Sequence, residues 1–248
     1  MRVVIQQLAS QSAECVQRGL LLARVRGDQR SLLGGAGVAT TYDGLRAVLL
    51  LLNTDAEWHA DTIARSMIES YADVAGLAAQ PGYDSRMVLE SHIQQRKLYA
   101  KLAKAGTVPG AEEKVAFHAG HIAKMEKDGV KRLSVSPRFD AANLPVDYRL
   151  IYGDFSVAAH GDYLALHARH LGTGSVRVGD RMTDYAFLKC AWVATTLAHG
   201  AAALLPHFAE IDTAALEQTL APAFAYEGRM SEFRQEALAN QGQQTDGR

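Results

Sequence analysis

The stretch YAFLKCAWVATTLAHGAAALL, residues 185–205, is an apolar run of about six helical turns at 3.6 residues per turn. Such a run is long enough to cross a bilayer, which needs about 20 residues. However, Lys189 and His199 interrupt it, and Pro206 follows it. A helix that is apolar nearly all round and carries two ionisable groups is typical of the buried centre of a helical protein. The run therefore predicts a core helix in an all-α fold, and no membrane span.

The composition of the whole chain fits one globular helical domain. Of its 248 residues, 48% are hydrophobic and 21% are charged, which excludes an intrinsically disordered chain. Roughly one residue in six is alanine and only six are proline, a composition that favours helix. Because no repeat, shift in composition or long linker divides the sequence, we expect a single helical domain over residues 1–240 and a disordered tail over residues 241–248.

The charge balance and the cysteines exclude several classes of protein. The 26 basic and 27 acidic residues give a formal net charge of −1, which argues against a surface built mainly for duplex nucleic acid or an anionic membrane. Cys15 and Cys190 are too few and too far apart in sequence for a disulfide framework or a cysteine-based zinc site. The start of the chain does not read as a secretory signal, since Gln6 and Gln7 follow Met1–Ile5 at once. We therefore expect a cytoplasmic protein without a cofactor.

Capping and breaking residues divide the chain into helices. Thr54 and Glu57 have the spacing of a capping box, which predicts that a helix begins there. Pro137 and Pro145 predict a loop over residues 131–145. The other predicted elements are helices over about 3–26, 54–79, 84–106, 111–128, 146–171 and 180–205, a small non-helical insert near 172–180, and two shorter amphipathic helices before the tail.

The predicted helix over residues 146–171 has an unusual polar face. Seven residues lie within about 120° of arc at 100° per residue: Tyr148, Arg149, Tyr152, Ser156, His160, Tyr163 and His167. A solvated face is one interpretation, but such faces usually carry Lys, Glu and Gln. Tyrosine and histidine suit a half-buried surface, on which the rings bury area while their polar tips find partners. We therefore expect a second helix or a ligand over this face.

The predicted helix over residues 54–79 offers a partner for that face. Its charged residues recur every four positions, as Asp61, Arg65, Glu69 and Asp73. Acid–base pairs at this spacing are common on exposed faces and contribute only about 0.2–0.5 kcal/mol each, so a solvated stripe is one interpretation. The other is that Arg65, held between Asp61 and Glu69, presents a rigid guanidinium to an anion or to a carboxylate.

Two short motifs carry a resemblance to a known family. Arg65-Ser-Met-Ile-Glu69 on one helix, followed by Tyr152-x3-Ser156-x3-His160 on another, resembles an uncharacterised bacterial family that is grouped with the HEPN-like all-helical domains. The likeness spans about residues 42–171. It implies a HEPN-like helical bundle that forms a homodimer. HEPN proteins include metal-independent ribonucleases of toxin–antitoxin and phage-defence systems, in which two subunits build one cleft.

The resemblance suggests roles for individual residues. His160 is the candidate general base toward a ribose 2′-hydroxyl, since an imidazole titrates near the operating pH. Arg65 or Arg149 would stabilise the charge that develops on a phosphate, with Glu69 fixing Arg65. We therefore expect RNA or a nucleotide as the partner. The candidate catalytic residues are His160, Arg65 and Glu69, and the candidate binding residues are Tyr152, Ser156, Arg149 and Asp73.

Two other functions remain open. The same cleft would serve a non-enzymatic protein that senses a ligand or binds a partner. A metal-dependent helical-bundle enzyme is the third possibility, because His118 and His121, and likewise His167 and His170, have the i, i+3 spacing of metal ligands on a helix. A catalytic zinc needs about three protein ligands, and a di-iron bundle needs Glu-x-x-His motifs, which this sequence lacks. We therefore predict no metal site.

Overall fold

The computed structural model describes residues 1–142, 144, 146–159 and 181–245, and these residues form an all-α bundle with one very small sheet. The helices of this part of the chain are α1 (Arg2–Leu21), α2 (Gln29–Leu51), α3 (Ala60–Ala79), α4 (Tyr83–Ala105), α5 (Ala111–Lys127), α6 (Val135–Ala141), α7 (Val146–Ala159), α8 (Asp184–Ala203) and α9 (Thr213–Thr245). Short 3₁₀ turns cover Glu57–His59 and Leu205–His207. The two-residue strands β1 (Arg24–Val25) and β2 (Ala209–Glu210) pair antiparallel. The expected all-α single-domain bundle is confirmed.

Most of the apolar run over residues 185–205 lies in α8, the central helix of the bundle. Helices α1, α2, α3 and α9 all pack against it. Phe187, Leu188 and Leu197 are completely buried on it, as expected for a helix that is apolar nearly all round. Asp184–His207 is the one segment of the described chain that is long and apolar enough to cross a membrane, and 67% of its most apolar window is buried inside the bundle. This burial agrees with the predicted core helix.

The capping box predicted at Thr54 is wrong. The Thr54 hydroxyl accepts from the amide of Ala56, and α3 begins only at Ala60. Glu57 is instead buried, where Arg2 Nη1 donates to its two carboxylate oxygens at 2.9 and 3.1 Å and the Met182 amide donates to Oε2 at 2.8 Å. A carboxylate that satisfies an arginine and a backbone amide in the core is worth more than a local cap, so tertiary contacts override the local motif.

Two other local predictions are also wrong. The segment predicted as a loop over residues 131–145 contains helix α6. The helix tolerates Pro137 because this proline is its third residue, and an amide in the first turn of a helix has no partner within the helix. The two shorter helices expected near the C-terminus are the single helix α9, which continues through Pro222. Pro222 and Gln218, whose carbonyl loses its partner, are both exposed, so water can replace the missing hydrogen bond.

Most of the remaining boundaries follow the predicted punctuation with small shifts. The helix predicted over about 3–26 ends at Leu21 as α1, with β1 after it, and α2 (Gln29–Leu51) was not predicted. The helix predicted to begin at Asp180 begins at Asp184, where the Thr183 side chain accepts from the Ala186 amide. The non-helical insert predicted near 172–180 lies outside the described residues, and so does the predicted continuation of α7 beyond Ala159. Helix α9 reaches Thr245, and the boundary between the domain and a disordered tail stays a prediction.

Helices α4 and α5 form a hairpin that packs mainly on itself. It has a separate small core of Leu89, Ile93 and Ile122. Gly106 and Gly110 begin and end the connection with positive φ angles of 64° and 74°, a conformation that favours glycine. The hairpin is therefore a satellite of the main core. The main core, and not the hairpin, holds α3, α6 and α7 together.

Candidate functional site

The facing sides of α3 and α7 bring three predicted site residues into contact. The Tyr152 hydroxyl donates to Glu69 Oε1 at 2.8 Å, and Arg65 Nη2 donates to the Tyr152 oxygen at 3.1 Å. Arg65 Nη2 also lies 3.6 Å from Glu69 Oε1. The Arg65 guanidinium carbon is 5.2 Å from the centre of the Tyr152 ring, within the range of a cation–π contact. The polar flanks of two helices that are remote in sequence therefore meet.

The contacts continue from Glu69 to Asp73, one turn further along α3. Arg138, on α6, places Nη1 3.7 Å from Glu69 Oε2 and Nε 3.0 Å from Asp73 Oδ1. The Tyr83 hydroxyl, at the start of α4, donates to Asp73 Oδ1 at 2.9 Å. We call Arg65, Glu69, Asp73, Tyr83, Arg138 and Tyr152 the α3 polar cluster. Its two guanidinium groups and two carboxylates balance in charge.

The two ends of the α3 polar cluster differ in burial. About a quarter of the Arg65 side chain (25%) and a third of the Glu69 side chain (32%) are exposed, against 19% for Asp73. Burial raises the pKa of the Asp73 carboxyl, while the positive charge of Arg138 opposes that shift. Burial and the neighbouring Asp73 also raise the pKa of the Tyr83 phenol. The Arg65–Glu69 end is therefore the one that a ligand from solvent can reach.

Sequence reasoning missed Arg138 and Tyr83. Arg138 lay in a segment predicted as a loop, so no helical face was assigned to it. Tyr83 follows the turn at Pro81-Gly82 and packs back on α3, where a Cβ at Gly76 would lie 2.4 Å from its ring. The glycine inside a helix, followed seven residues later by a tyrosine, is the sequence signal that was available.

Several predicted site residues do not join the cluster. Asp61 is buried and accepts from the Cys190 thiol at 2.9 Å, so it faces the core rather than holding Arg65 as predicted. Arg149 pairs with Asp140 at 2.5 Å on the exposed side of α7. Ser156 is half-buried one turn after Tyr152. His160 lies outside the described residues.

The predicted histidine pair of α5 meets a third histidine from α4. His92 Nδ1 lies 2.9 Å from His118 Nδ1, and the rings of His92 and His121 stack with their centres 4.7 Å apart. Burial and the charges of His121 and His118 lower the pKa of His92. Within the described ranges, no group of three histidine, cysteine, aspartate or glutamate side chains is arranged to hold a metal ion. The pair His167 and His170 lies outside those ranges.

The α3 polar cluster has the groups to bind a polar ligand. Arg65 offers a planar donor that suits phosphate or carboxylate oxygens, and Glu69 offers an acceptor beside it. The Tyr152 ring, packed edge-to-face on Phe139 with centres 5.0 Å apart, holds the guanidinium in one orientation. These contacts suit binding and positioning of a ligand.

Comparison with known proteins identifies one family. A profile described as "Family of unknown function (DUF5677)" matches residues 36–176. The matched region contains α3 to α7, and therefore every residue of the α3 polar cluster, and it covers more than half of the 248 residues. No curated protein and no solved structure matches the chain.

Proposed function

The chain belongs to the DUF5677 family of unknown function, and we propose that its α3 polar cluster binds the phosphate of an RNA or a nucleotide. The observation that carries the proposal is the position of Arg65, which donates to Tyr152 of another helix while pairing with Glu69. In this proposal the fold is HEPN-like, the protein forms a homodimer in the cytoplasm, and its role is that of a toxin or of phage defence.

The fixed orientation of Arg65 supports phosphate as the ligand. A free arginine side chain loses rotamer entropy when it binds, typically about 0.5–1.5 kcal/mol for a long side chain at an interface. Here Tyr152 and Glu69 already restrict the guanidinium, so less of that entropy remains to be lost. A preorganised planar fork also matches two phosphate oxygens at once, which a lysine ammonium does not.

The charge of the cluster limits the kind of nucleic acid. The two carboxylates, Glu69 and Asp73, offset the two guanidinium groups, and the whole chain has a formal net charge of −1. Tight duplex binding usually draws on many basic contacts to successive phosphates. A balanced cluster suits one phosphate of a nucleotide, or one position of a short single strand.

His160 extends the proposal to catalysis. The sequence places it two helical turns after Tyr152, with Ser156 between them. In a metal-independent ribonuclease, His160 would take the proton of the ribose 2′-hydroxyl, and Arg65 would stabilise the negative charge that develops on the phosphate. Tyr152 and Ser156 would orient the imidazole or the substrate.

A non-enzymatic role as a ligand-sensing or partner-binding protein is the second candidate. It is favoured by the mutual pairing of the charged groups in the α3 polar cluster, since Arg65 and Arg138 each contact a carboxylate. A site that is already stable without ligand suits reversible binding. The two candidates share the ligand and differ in whether the ligand is cleaved.

Binding to a 5′-labelled six-nucleotide single-stranded RNA and to AMP tests the proposal. We expect Arg65→Gln to weaken binding about tenfold or more, as the loss of a charged hydrogen bond predicts. Arg65→Lys should bind more weakly than the wild type but more tightly than Arg65→Gln, because lysine keeps the positive charge and lacks the planar guanidinium group. Arg229→Gln is the matched control, since it removes an exposed arginine that pairs with Glu232 on α9, outside the cluster. Unchanged binding by Arg65→Gln would overturn the proposal.

Cleavage of the same RNA in EDTA separates the two candidates. The catalytic form predicts product from the wild type and none above background from His160→Ala, while binding by that variant remains. The non-enzymatic form predicts binding without product. Equal cleavage by the wild type and His160→Ala would remove His160 from the mechanism.

A further inference from the structure

The α4–α5 hairpin carries an excess of positive charge, unlike the rest of the chain. Residues 83–127 contain eight basic and five acidic residues, a formal net charge of +3. Because the whole chain has a formal net charge of −1, the remaining residues together have −4. Such an asymmetry indicates that the hairpin is the part of the surface that a polyanion approaches.

Four exposed side chains of α5 form one stripe along this hairpin. They are two lysines with two rings between them: Lys114, Phe117, His121 and Lys124. At 100° and 1.5 Å per residue, they lie within about 80° of arc over a length of about 15 Å. We call these four residues the α5 stripe. The Phe117 ring is 55% exposed, so ring surface and positive charge are both open to solvent on one face of the helix.

The surface beside the α5 stripe is concave. A depression of about 320 Å³ is lined by Phe117, His121 and Lys124 together with Ala116 and Gly120. Apart from the helix itself, no heavy atom of the described residues lies within 4 Å of a Cβ built at Gly120. The small side chain of Ala116 and the lack of one at Gly120 therefore leave room for a planar group beside the exposed rings.

The rings of the α5 stripe are held in place by other rings of the hairpin. The ring centres of Phe117 and His121 are 4.5 Å apart, and His121 stacks on His92 of α4 with centres 4.7 Å apart and planes 3° from parallel. A side chain that is already restricted by its neighbours loses less conformational entropy when it binds a ligand. The aromatic part of the α5 stripe is therefore preorganised for stacking.

We propose that the α5 stripe binds successive nucleotides of a single-stranded RNA. The bases stack on Phe117 and His121, and the phosphates lie at the two flanking lysines, a combination by which proteins hold single strands without reading their sequence. An acidic peptide would match the lysines, but each nucleotide brings both a phosphate and a flat base. A duplex keeps its base faces stacked inside and offers none to Phe117. The choice of RNA rests on the proposed function, and the α5 stripe adds further positions of the strand to the one at the α3 polar cluster.

The contribution of the bases tests the stacking. The probes are a 5′-labelled six-nucleotide oligouridylate and an abasic RNA of the same length and charge, and fluorescence anisotropy measures their binding to the full chain. We expect the wild type to bind the oligouridylate about fivefold or more tightly than the abasic strand, in line with stacking of one base on an aromatic ring. Phe117→Ala should lose most of this preference. Phe117→Leu, which keeps apolar contact with the neighbouring rings, should lose it as well.

Leu98→Ala is the matched control for Phe117, since Leu98 is an apolar side chain of α4 that is 49% exposed and does not line the depression. It should keep the wild-type preference for bases. A Phe117→Ala variant that also keeps the wild-type preference, or a wild type that binds neither strand, would overturn the inference.

Two further variants test the lysines and the depression. Each phosphate contact to a single strand contributes about 0.7 to the slope of log Kd against log salt concentration. The double variant Lys114→Gln, Lys124→Gln should therefore reduce that slope by about 1.4. Gly120→Glu places a carboxylate in the depression and should weaken RNA binding, while Gly228→Glu, at an equally open position of α9, should not. An unchanged slope in the double variant would exclude the lysines as phosphate ligands.

Binding of AMP separates this inference from the proposed function. Phe117→Ala should bind AMP as the wild type does, whereas Arg65→Gln should bind it more weakly. If Arg65→Gln weakens AMP binding and Phe117→Ala leaves RNA binding unchanged, the α5 stripe fails and the proposed function stands. If Phe117→Ala weakens RNA binding and Arg65→Gln binds AMP like the wild type, the α5 stripe stands and the α3 polar cluster fails.

Discussion

The Tyr152 hydroxyl lies 2.8 Å from Glu69 Oε1 and connects two helices whose contributing residues are 83 positions apart. The same oxygen accepts from Arg65 Nη2, so one phenol satisfies a carboxylate and a guanidinium together. The bond also fixes the distance between α3 and α7 at the candidate site. A change at Tyr152 should therefore affect both stability and ligand binding.

Tyr152→Phe tests that connection. It removes the hydroxyl, while the ring contact with Phe139 remains. We expect the free energy of unfolding to fall by about 1 kcal/mol, the typical contribution of a partly buried hydrogen bond, as measured by urea denaturation. Tyr99→Phe, on α4 away from the cluster, controls for the loss of a phenolic oxygen. A Tyr152→Phe variant as stable as the wild type would show that the bond contributes nothing to the fold.

The sequence predicted that the polar faces of α3 and α7 meet, because helical spacing places Arg65 and Glu69 on one face of α3 and Tyr152 on the polar face of α7. The prediction that Asp61 also holds Arg65 is wrong for a geometrical reason. Residues four positions apart in a helix are rotated by about 400° around its axis. A stripe of residues at this spacing therefore turns by about 40° at each step. Between Asp61 and Asp73 this drift reaches about 120°. Asp61 therefore faces Cys190 in the core, while Asp73 faces α4 and α6.

The all-α fold could be predicted from local composition, whereas Arg138 could not. The apolar residues of α8 surround the whole helix, so its burial follows from the sequence alone. The place of Arg138 depends on helix α6, which begins two residues before a proline that normally indicates a loop. Its contacts with Glu69 and Asp73 arise only when α6 packs on α3. Such long-range contacts leave no periodic pattern in the sequence.

The ion pair between Arg2 and the buried carboxylate of Glu57 should be a determinant of stability. Glu57 is 2% exposed and satisfies both Arg2 and the Met182 amide. We expect Glu57→Ala to lower the free energy of unfolding by about 1–3 kcal/mol, because it leaves the buried Met182 amide without its acceptor and removes two hydrogen bonds from Arg2, which keeps its contact with Asp184. Asp184→Asn is the matched control: Asp184 also pairs with Arg2 but is 57% exposed, so its loss should cost less than about 1 kcal/mol. Similar losses for the two variants would contradict the importance of burial here.

The Asp73 carboxyl should make the protein less stable as the pH rises. Burial raises its pKa above the ordinary value of 3.8, so the folded state binds more protons than the unfolded state in the interval above pH 3.8. Stability from this group is fully present below that value and is lost as the pH rises through the raised pKa. Asp73→Asn should remove this loss, so that its free energy of unfolding falls less over the interval. Parallel pH profiles for the two proteins would contradict the shift.

The histidine cluster of the α4–α5 hairpin should respond to acid in the opposite direction. The pKa of His92 is lowered from its ordinary value of 6.5 by burial and by His121 and His118. As the pH falls below 6.5, the unfolded chain therefore binds the proton before the folded protein does. The hairpin loses stability as the pH falls from 6.5 through the lowered pKa of His92. Amide hydrogen exchange in α4 and α5 should quicken at pH 5.5 relative to α8, after correction for the intrinsic rate. The variant His92→Gln should reduce the difference.

The close approach of Gly76 to Tyr83 provides a paired test of packing at the α3 polar cluster. A Cβ at Gly76 would lie 2.4 Å from the buried Tyr83 ring, whose hydroxyl is held by Asp73. Gly76→Ala should therefore destabilise the protein by about 1–3 kcal/mol, since the ring must move. At Gly153 on α7, none of the described side chains lies within 4 Å of such a Cβ. Gly153→Ala should stabilise the protein by up to about 1 kcal/mol through helix propensity. Thermal or urea unfolding of the two variants measures the contrast, and a stabilising Gly76→Ala would show that Tyr83 is not fixed against α3.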